Sequence, residues 1–324
     1  MTRDLPPFLR DLLANPPHAG EGVHAWLFRV ARQLHAHLPA VEIVALLEGR
    51  VMNCGRHVPR TEILDAVQSS VTCAWQPRGQ FSAAPGAAAR WPEKNLEQIE
   101  AIVREGYGLA DLWEMSPVRL EDNAQRTEGI IDRLFPGNPL LCCGVSNSVF
   151  DTRPREDWRG ELARLQLIVP SPMTARTGLT QEGKVSAHAL SNTGARRFLV
   201  VECDFSIFAP DGRTETQFAP LIRKLNSEGI EVADMGAAIL LHLAQFAPLV
   251  CAVHSGGKSL HGWFLAAGQP DARVEKFFRY AVSIGADSHA WTPSQFMRVP
   301  DGTRDNGKRQ TVFFLNYRPL DGAQ

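Results

Sequence analysis

The stretch PRGQFSAAPGAAARWP (77–92) holds no sustained hydrophobic period and is rich in Gly, Ala and Pro, so it reads as a linker. It constrains the fold more than any other feature, because the sequence on its two sides follows different periodicities. Before it, in EGVHAWLFRVARQLHAHL, the residues Val23, Trp26, Leu27, Val30, Leu34 and Leu38 recur at three- and four-residue steps. That spacing puts one apolar stripe on a helix. VEIVALLEG predicts a shorter helix stopped by Gly49. PRTEILDAVQSSVTCAW, with Pro59 near its first turn, predicts a helix that buries Ile63, Leu64, Val67, Val71 and Trp75. Residues 1–76 are therefore expected to form a small all-α helical domain.

After the linker, residues 93–324 mix two periods. NLEQIEAIVREG is amphipathic through Leu96, Ile99, Ile102 and Val103. LLCCGV, LQLIVP, RRFLVVECD, APLVCAVHS, SLHGWFLAA and QTVFFLNY are short apolar or alternating runs bounded by Gly and Pro, and predict strands. APLIRKLNSEG, ADMGAAILLHLAQF and ARVEKFFRYAVSIG predict helices between them. This order gives an α+β domain with a mixed, largely antiparallel sheet, a split-βαβ type of unit.

Bulk properties narrow the function classes. The net charge of −1 argues against a general polyanion coat but leaves room for a local basic groove. Six cysteines form no C-x-x-C pair, so buried reduced thiols are expected rather than a zinc knuckle. No run approaches the ~20 apolar residues that span a bilayer. MTRDLPPFLRDLL lacks a secretory core, so no membrane association and a cytoplasmic location are expected.

Chemistry concentrates at three places. In RRFLVVECD, Glu202 and Asp204 lie two apart at the end of an apolar strand, where they share a face while Cys203 points back into the sheet. Two carboxylates there repel each other unless a cation compensates them, and oxygen donors suit Mg²⁺ or Mn²⁺. In CAVHSGGKSLHGWF, Gly256 and Gly257 allow a tight turn whose N–H groups can meet phosphate, Lys258 adds charge, and Ser259 and His261 share a face. Residues 252–259 also fit a relaxed P-loop, which would require a long helix after Lys258–Ser259. SLHGWFLAAGQP is strand-like instead, which argues against that ATPase reading. In GADSHAWTPSQFMRVPDGTRDNGKRQ, Asp287 supplies a third carboxylate, and Arg298, Arg304, Lys308 and Arg309 concentrate positive charge.

An acid-x-acid pair, then Ser-x-His, then a lone Asp, in that order, resembles the archaeo-eukaryotic primase superfamily, and most of all the primase-polymerase branch of phages, plasmids and other mobile elements. SGGKSLHGWF is the most specific piece, and ADSHAWTPSQFMRVPDGTR resembles the third motif, an Asp followed by an Arg in a short strand. The first motif departs from the usual Asp-x-Asp in having Glu202 in the leading place. The resemblance implies an RRM-like catalytic core and template-directed nucleotidyl transfer on single-stranded DNA by a two-metal mechanism. Glu202, Asp204 and Asp287 would hold Mg²⁺ or Mn²⁺. Lys258, Ser259, His261, Arg298 and Lys308 would bind the nucleoside triphosphate. Any replicative helicase would be a separate chain. The alternatives are a non-catalytic single-stranded-DNA-binding replication module of the same fold and, behind it, the P-loop ATPase.

Overall fold

Helices form where the apolar stripe recurs. The computed structural model describes residues 5, 7–20, 22–35, 37–52, 54–70, 91–120, 126–209 and 211–321, which fall into two units, Met1–Ala89 and Arg90–Gln324. In the first unit the described residues form α1 (Pro7–Ala14), α2 (Val23–Leu34), α3 (Ala40–Val51) and α4 (Arg60–Ser70). Val23, Trp26, Leu27, Val30 and Leu34 are buried together with Ile43, Leu47, Ile63 and Val67. Gly49 does not end α3, which continues to Val51. The cost of a helical glycine, about 1 kcal/mol, is offset by burial of Leu47 and Val51 on the same face. Leu64, expected inside, faces solvent. Val71, Trp75 and residues 77–90 of the expected linker lie outside the described residues.

The second unit is α+β with antiparallel pairing throughout. It opens with helices α5 (Leu96–Arg104), α6 (Leu109–Glu114) and α7 (Arg126–Leu134). One four-stranded sheet has the order β2-β1-β3-β9, from β1 (Leu140–Ser146), β2 (Val149–Pro154), β3 (Leu167–Ile168) and β9 (Met297–Arg298). A separate hairpin pairs β4 (Gly178–Leu179) with β5 (Val185–Ser186). The second four-stranded sheet has the order β10-β7-β8-β6. Its members are β6 (Phe198–Cys203), β7 (Leu249–His254), β8 (Leu260–Leu265) and β10 (Val312–Leu315).

Between β6 and β7 run α8 (Ala219–Ser227) and α9 (Val232–Ala244), and α10 (Asp271–Ser283) follows β8. Because β6 and β7 each pair antiparallel with β8, they run parallel to each other on its two sides, a split βαβ unit. The last strand joins at the β7 edge and leaves β6 at the sheet margin. Small residues on α9 (Gly236, Ala237, Ala238) let it sit close on this sheet, beside buried Ile239, Leu240 and Leu243. Phe135, Phe198 and Trp263 close the core with edge-on ring contacts. The five described cysteines are free and buried.

Candidate functional site

The site is built at one end of the β6–β8 pair. Strand β6 is apolar from Phe198 to Val201 and stays buried, so its chain direction delivers Glu202 to the sheet end with Cys203 turned into the core. Register places Glu202 opposite His261 on β8. The Nε2 of His261 lies 3.4 Å from Glu202 Oε1 and 3.2 Å from Ser259 Oγ. Ser259 and His261 therefore do share a face, with Leu260 buried behind them. Asp287 is brought in from far along the chain, after α10, by a backbone hydrogen bond: its N–H donates to the Glu202 carbonyl at 2.9 Å.

Burial and neighbouring charges shift these groups. Burial pushes the Glu202 carboxyl up from its ordinary 4.5 to about 7, reinforced by the charges of Asp287 and Asp204 and opposed by Arg298 and a Ser259 hydrogen bond. Burial lowers His261 to about 3, with Arg298 and His254 acting in the same direction, so its imidazole is neutral. Arg298, on β9 of the other sheet, is lowered by burial and by Arg304, and is steadied by Glu202 and Asp305. Its Nη1 donates to Gln166 Oε1 at 2.9 Å. Lys94, from the segment before α5, reaches the same corner; its ammonium donates to the Ala286 carbonyl and feels the charge of Asp287.

Lys258 does not point at the Ser259–His261 pair. Its Nζ stands 3.4 Å from Asp204 Oδ1 and donates to Ser206 Oγ at 2.9 Å. The glycine turn also differs from expectation. Gly256, at φ +72°, donates its N–H to His254 Nδ1, and Gly257 donates to Ser255 Oγ, both at 3.3 Å. These N–H groups are spent inside the turn. A Cβ on Gly257 would come within 2.9 Å of Arg304 Nη1, so what the missing side chain admits is a guanidinium. Lys308 is exposed and flanks Gly256, where an added Cβ would approach its own Cβ to 3.2 Å. Arg309 has a structural partner: with Arg126 it binds the fully buried Asp301, at 2.9 and 2.7 Å. Ser259 is followed at once by strand β8, so no helix opens after the 252–259 turn as a P-loop would need.

Mg²⁺ or Mn²⁺ is what the resemblance implies, and the donor chemistry fits a hard divalent cation. The charges of Asp287 and Asp204 both act on Glu202, and Asp204 Oδ1 is buried and receives no hydrogen bond among the described residues. As the side chains stand, no three His, Cys, Asp or Glu among the described residues are grouped to hold a metal ion. Asp287 Oδ1 instead accepts from His289 N at 2.9 Å and meets His289 Nδ1 at 2.8 Å. Because His289 is exposed, that contact is cheap to break.

A cavity of about 360 Å³ opens beside Asp204 and Asp287, lined also by Lys94, Ser206, Phe208 and Lys258. Lys94, Gln166 and Phe208 were not signalled by the sequence, since each reaches the site through tertiary structure. In the first unit, the basic residues Arg56 and Arg60 are paired with Glu62 and Glu48. No helix of the described residues is long and apolar enough to cross a membrane. Compared with known proteins, the chain matches no family model, no curated protein and no solved structure.

Proposed function

We propose that the second unit is a primase-polymerase core that joins nucleotides on a single-stranded DNA template. The observation that carries this reading is the meeting of the three motifs. Glu202 and His261 are register partners, and Asp287 is bonded to the Glu202 backbone. A split βαβ sheet with the acid pair at a strand end supports an RRM-like core, here with its last strand beside β7. Divalent cations held by Glu202, Asp204 and Asp287 would supply the charge that lowers the barrier to hydroxyl attack and pyrophosphate departure.

The remaining work falls to protein groups. Neutral His261 and Ser259 offer hydrogen bonds to phosphate oxygens without adding charge, and Arg298 and Arg304 supply the positive field on that side. Lys258 stands 3.4 Å from Asp204 as its ion-pair partner. Lys308 extends the basic loop at the solvent side. Glu202, buried and crowded, keeps its proton near neutrality until a cation compensates it.

The test is synthesis. Incubation with single-stranded DNA, nucleotides and Mg²⁺ or Mn²⁺ is expected to yield oligonucleotides, and Glu202→Ala with Asp204→Ala is expected to abolish them while the melting profile stays native. Continued synthesis by that double variant would refute the site. One observation favours a second reading, a non-catalytic single-strand-binding module of the same fold. The acids are not grouped for metal, and Lys258 already compensates Asp204. That module would bind single strands with affinity falling steeply in salt and with no response to metal or nucleotide.

A further inference from the structure

Gln166 is a polar residue only 7% exposed, and each of its polar atoms is bonded. It stands just before β3, and its backbone is fixed to three neighbours. Its N–H donates to the Gly144 carbonyl on β1 at 3.2 Å, and its carbonyl accepts from Val299 N and Gln310 Nε2 at 3.2 and 3.1 Å. The side-chain amide is fixed as well: Nε2 donates to the Val145 carbonyl, and Oε1 accepts from Arg298 Nη1 at 2.9 Å. Chemistry decides which way that amide faces, since a carbonyl only accepts and a guanidinium only donates. A flipped amide would set like against like at both ends.

Arg298 is the register partner of Leu167, the residue after Gln166, across the β3–β9 pair. The Gln166 amide is its one hydrogen-bonding partner among the described residues. The charges of Glu202 and Asp305 reach Arg298, but neither acid bonds to it among the described residues, and the charge of Arg304 opposes them. Arg304 Nε is itself buried without a hydrogen bond among the described residues. The contrast lies a few residues further along the chain. There the fully buried Asp301 takes Arg126 and Arg309 in ion pairs, so those guanidiniums meet a carboxylate. Arg298 meets an amide, which fixes one N–H and cancels no charge. Half-buried positive charge held in this way is costly until an anion joins it.

We propose that Gln166 is a positioning residue for the incoming nucleotide: its amide sets the Arg298 guanidinium for a phosphate group and leaves the positive charge uncancelled. The inference rests on the nucleotidyl-transfer reading and adds to it a residue that acts only through Arg298. A planar guanidinium grips two phosphate oxygens when its plane is already set. Fixing Nη1 beforehand removes rotamer freedom that binding would otherwise have to take away. A glutamate at 166 would hold the same N–H, but its charge would compete with the phosphate.

The test is a double-variant cycle on the full chain, read by calorimetric titration with α,β-imido analogues of ATP and dATP in Mg²⁺. Gln166→Met keeps the length and deletes the acceptor. It is expected to weaken analogue binding roughly tenfold or more, the worth of one hydrogen bond to a charged group. In an Arg298→Met background the same change is expected to add almost nothing, because the two residues act as one unit. Gln166→Glu is expected to weaken binding too. Steady-state synthesis should show a raised KM for the incoming nucleotide with the KM for primer unchanged. Should Gln166→Met not fold, Gln166→Asn, an amide one methylene shorter, runs the same cycle. Equal losses in both backgrounds, unaltered binding in the variant, or a Gln166→Glu protein that binds as tightly as wild type would overturn the assignment. If no product forms while analogue binding follows the cycle, the positioning role stands and the polymerase reading falls. If product forms and the losses are additive, the reverse holds. If the protein neither makes product nor binds the analogues, both fall.

Discussion

Replacing Glu202 by glutamine should make the protein more stable above about pH 4.5, with the gain growing until about pH 7. The carboxyl is raised from 4.5 to about 7 chiefly because burial penalises its charge, and next because Asp287 and Asp204 repel it. With a raised folded-state pKa, the native protein holds this proton more tightly than the unfolded chain. Below about 4.5 both states are protonated and Glu202 costs nothing. As pH rises from 4.5 to about 7 the unfolded chain ionises first, and native stability falls across that interval. Above 7 the loss is complete, about 3 kcal/mol from the separation of the two values. Glutamine keeps the shape and cannot ionise. Calorimetric unfolding of wild type and Glu202→Gln from pH 4.5 to 8, with the transitions of the two units separated, should show matching stabilities at the acid end. At pH 8 the variant should lead by about 2–3 kcal/mol. Added Mn²⁺ should raise the wild type at pH 8 and leave the variant much less affected. A difference that is constant with pH, or a variant less stable at pH 8, would refute the placement of Glu202 among buried like charges.

Two further substitutions probe the frame of the site. Asp301 is fully buried, adopts φ +67°, and accepts hydrogen bonds from Arg126, Arg309 and Thr127. Asp301→Ala leaves Arg126 without this partner and should cost about 3–5 kcal/mol in chemical denaturation. Gly256→Ala should be worse than Gly257→Ala in thermal melting. At Gly256 a Cβ meets the Arg309 carbonyl at 2.9 Å with φ positive, a cost of about 1 kcal/mol or more, while at Gly257 it meets the mobile end of Arg304.

What was legible in the sequence is what local pattern determines. Strand β6 could be read from four apolar residues running into an acid, and α2 from its stripe, because burial of one face decides both. Helix α3 outlasts Gly49 because packing of Leu47 and Val51 outweighs the propensity of a single residue. Strands β2 and β9 and the β4–β5 hairpin were harder. They are short or half-exposed, and β9 exists only because Met297 and Arg298 find β3. The acid pair and Ser-x-His were visible as spacing, but their partners were not. That His254 and Ser255 consume the N–H groups of the glycine turn follows from side chains folding back two residues, which composition does not reveal.

The same distinction bears on the direction of Lys258. Sequence places it beside Ser259 and suggests a common target, yet a residue in a turn is free of strand alternation and turns toward the charge that needs it. Asp204 lies just past the end of β6, where Oδ1 is buried and without a hydrogen bond, and the Lys258 ammonium stands 3.4 Å from it. Glu202, one pleat back, has the neutral His261 as its neighbour, and burial with the charges of Asp287 and Asp204 outweighs the opposing Arg298, so its pKa rises. The two carboxylates of one acid-x-acid motif thus meet different neighbours, Asp204 an ammonium at 3.4 Å and Glu202 a buried imidazole, a difference that depends on which turn and which strand fold against them and not on their spacing.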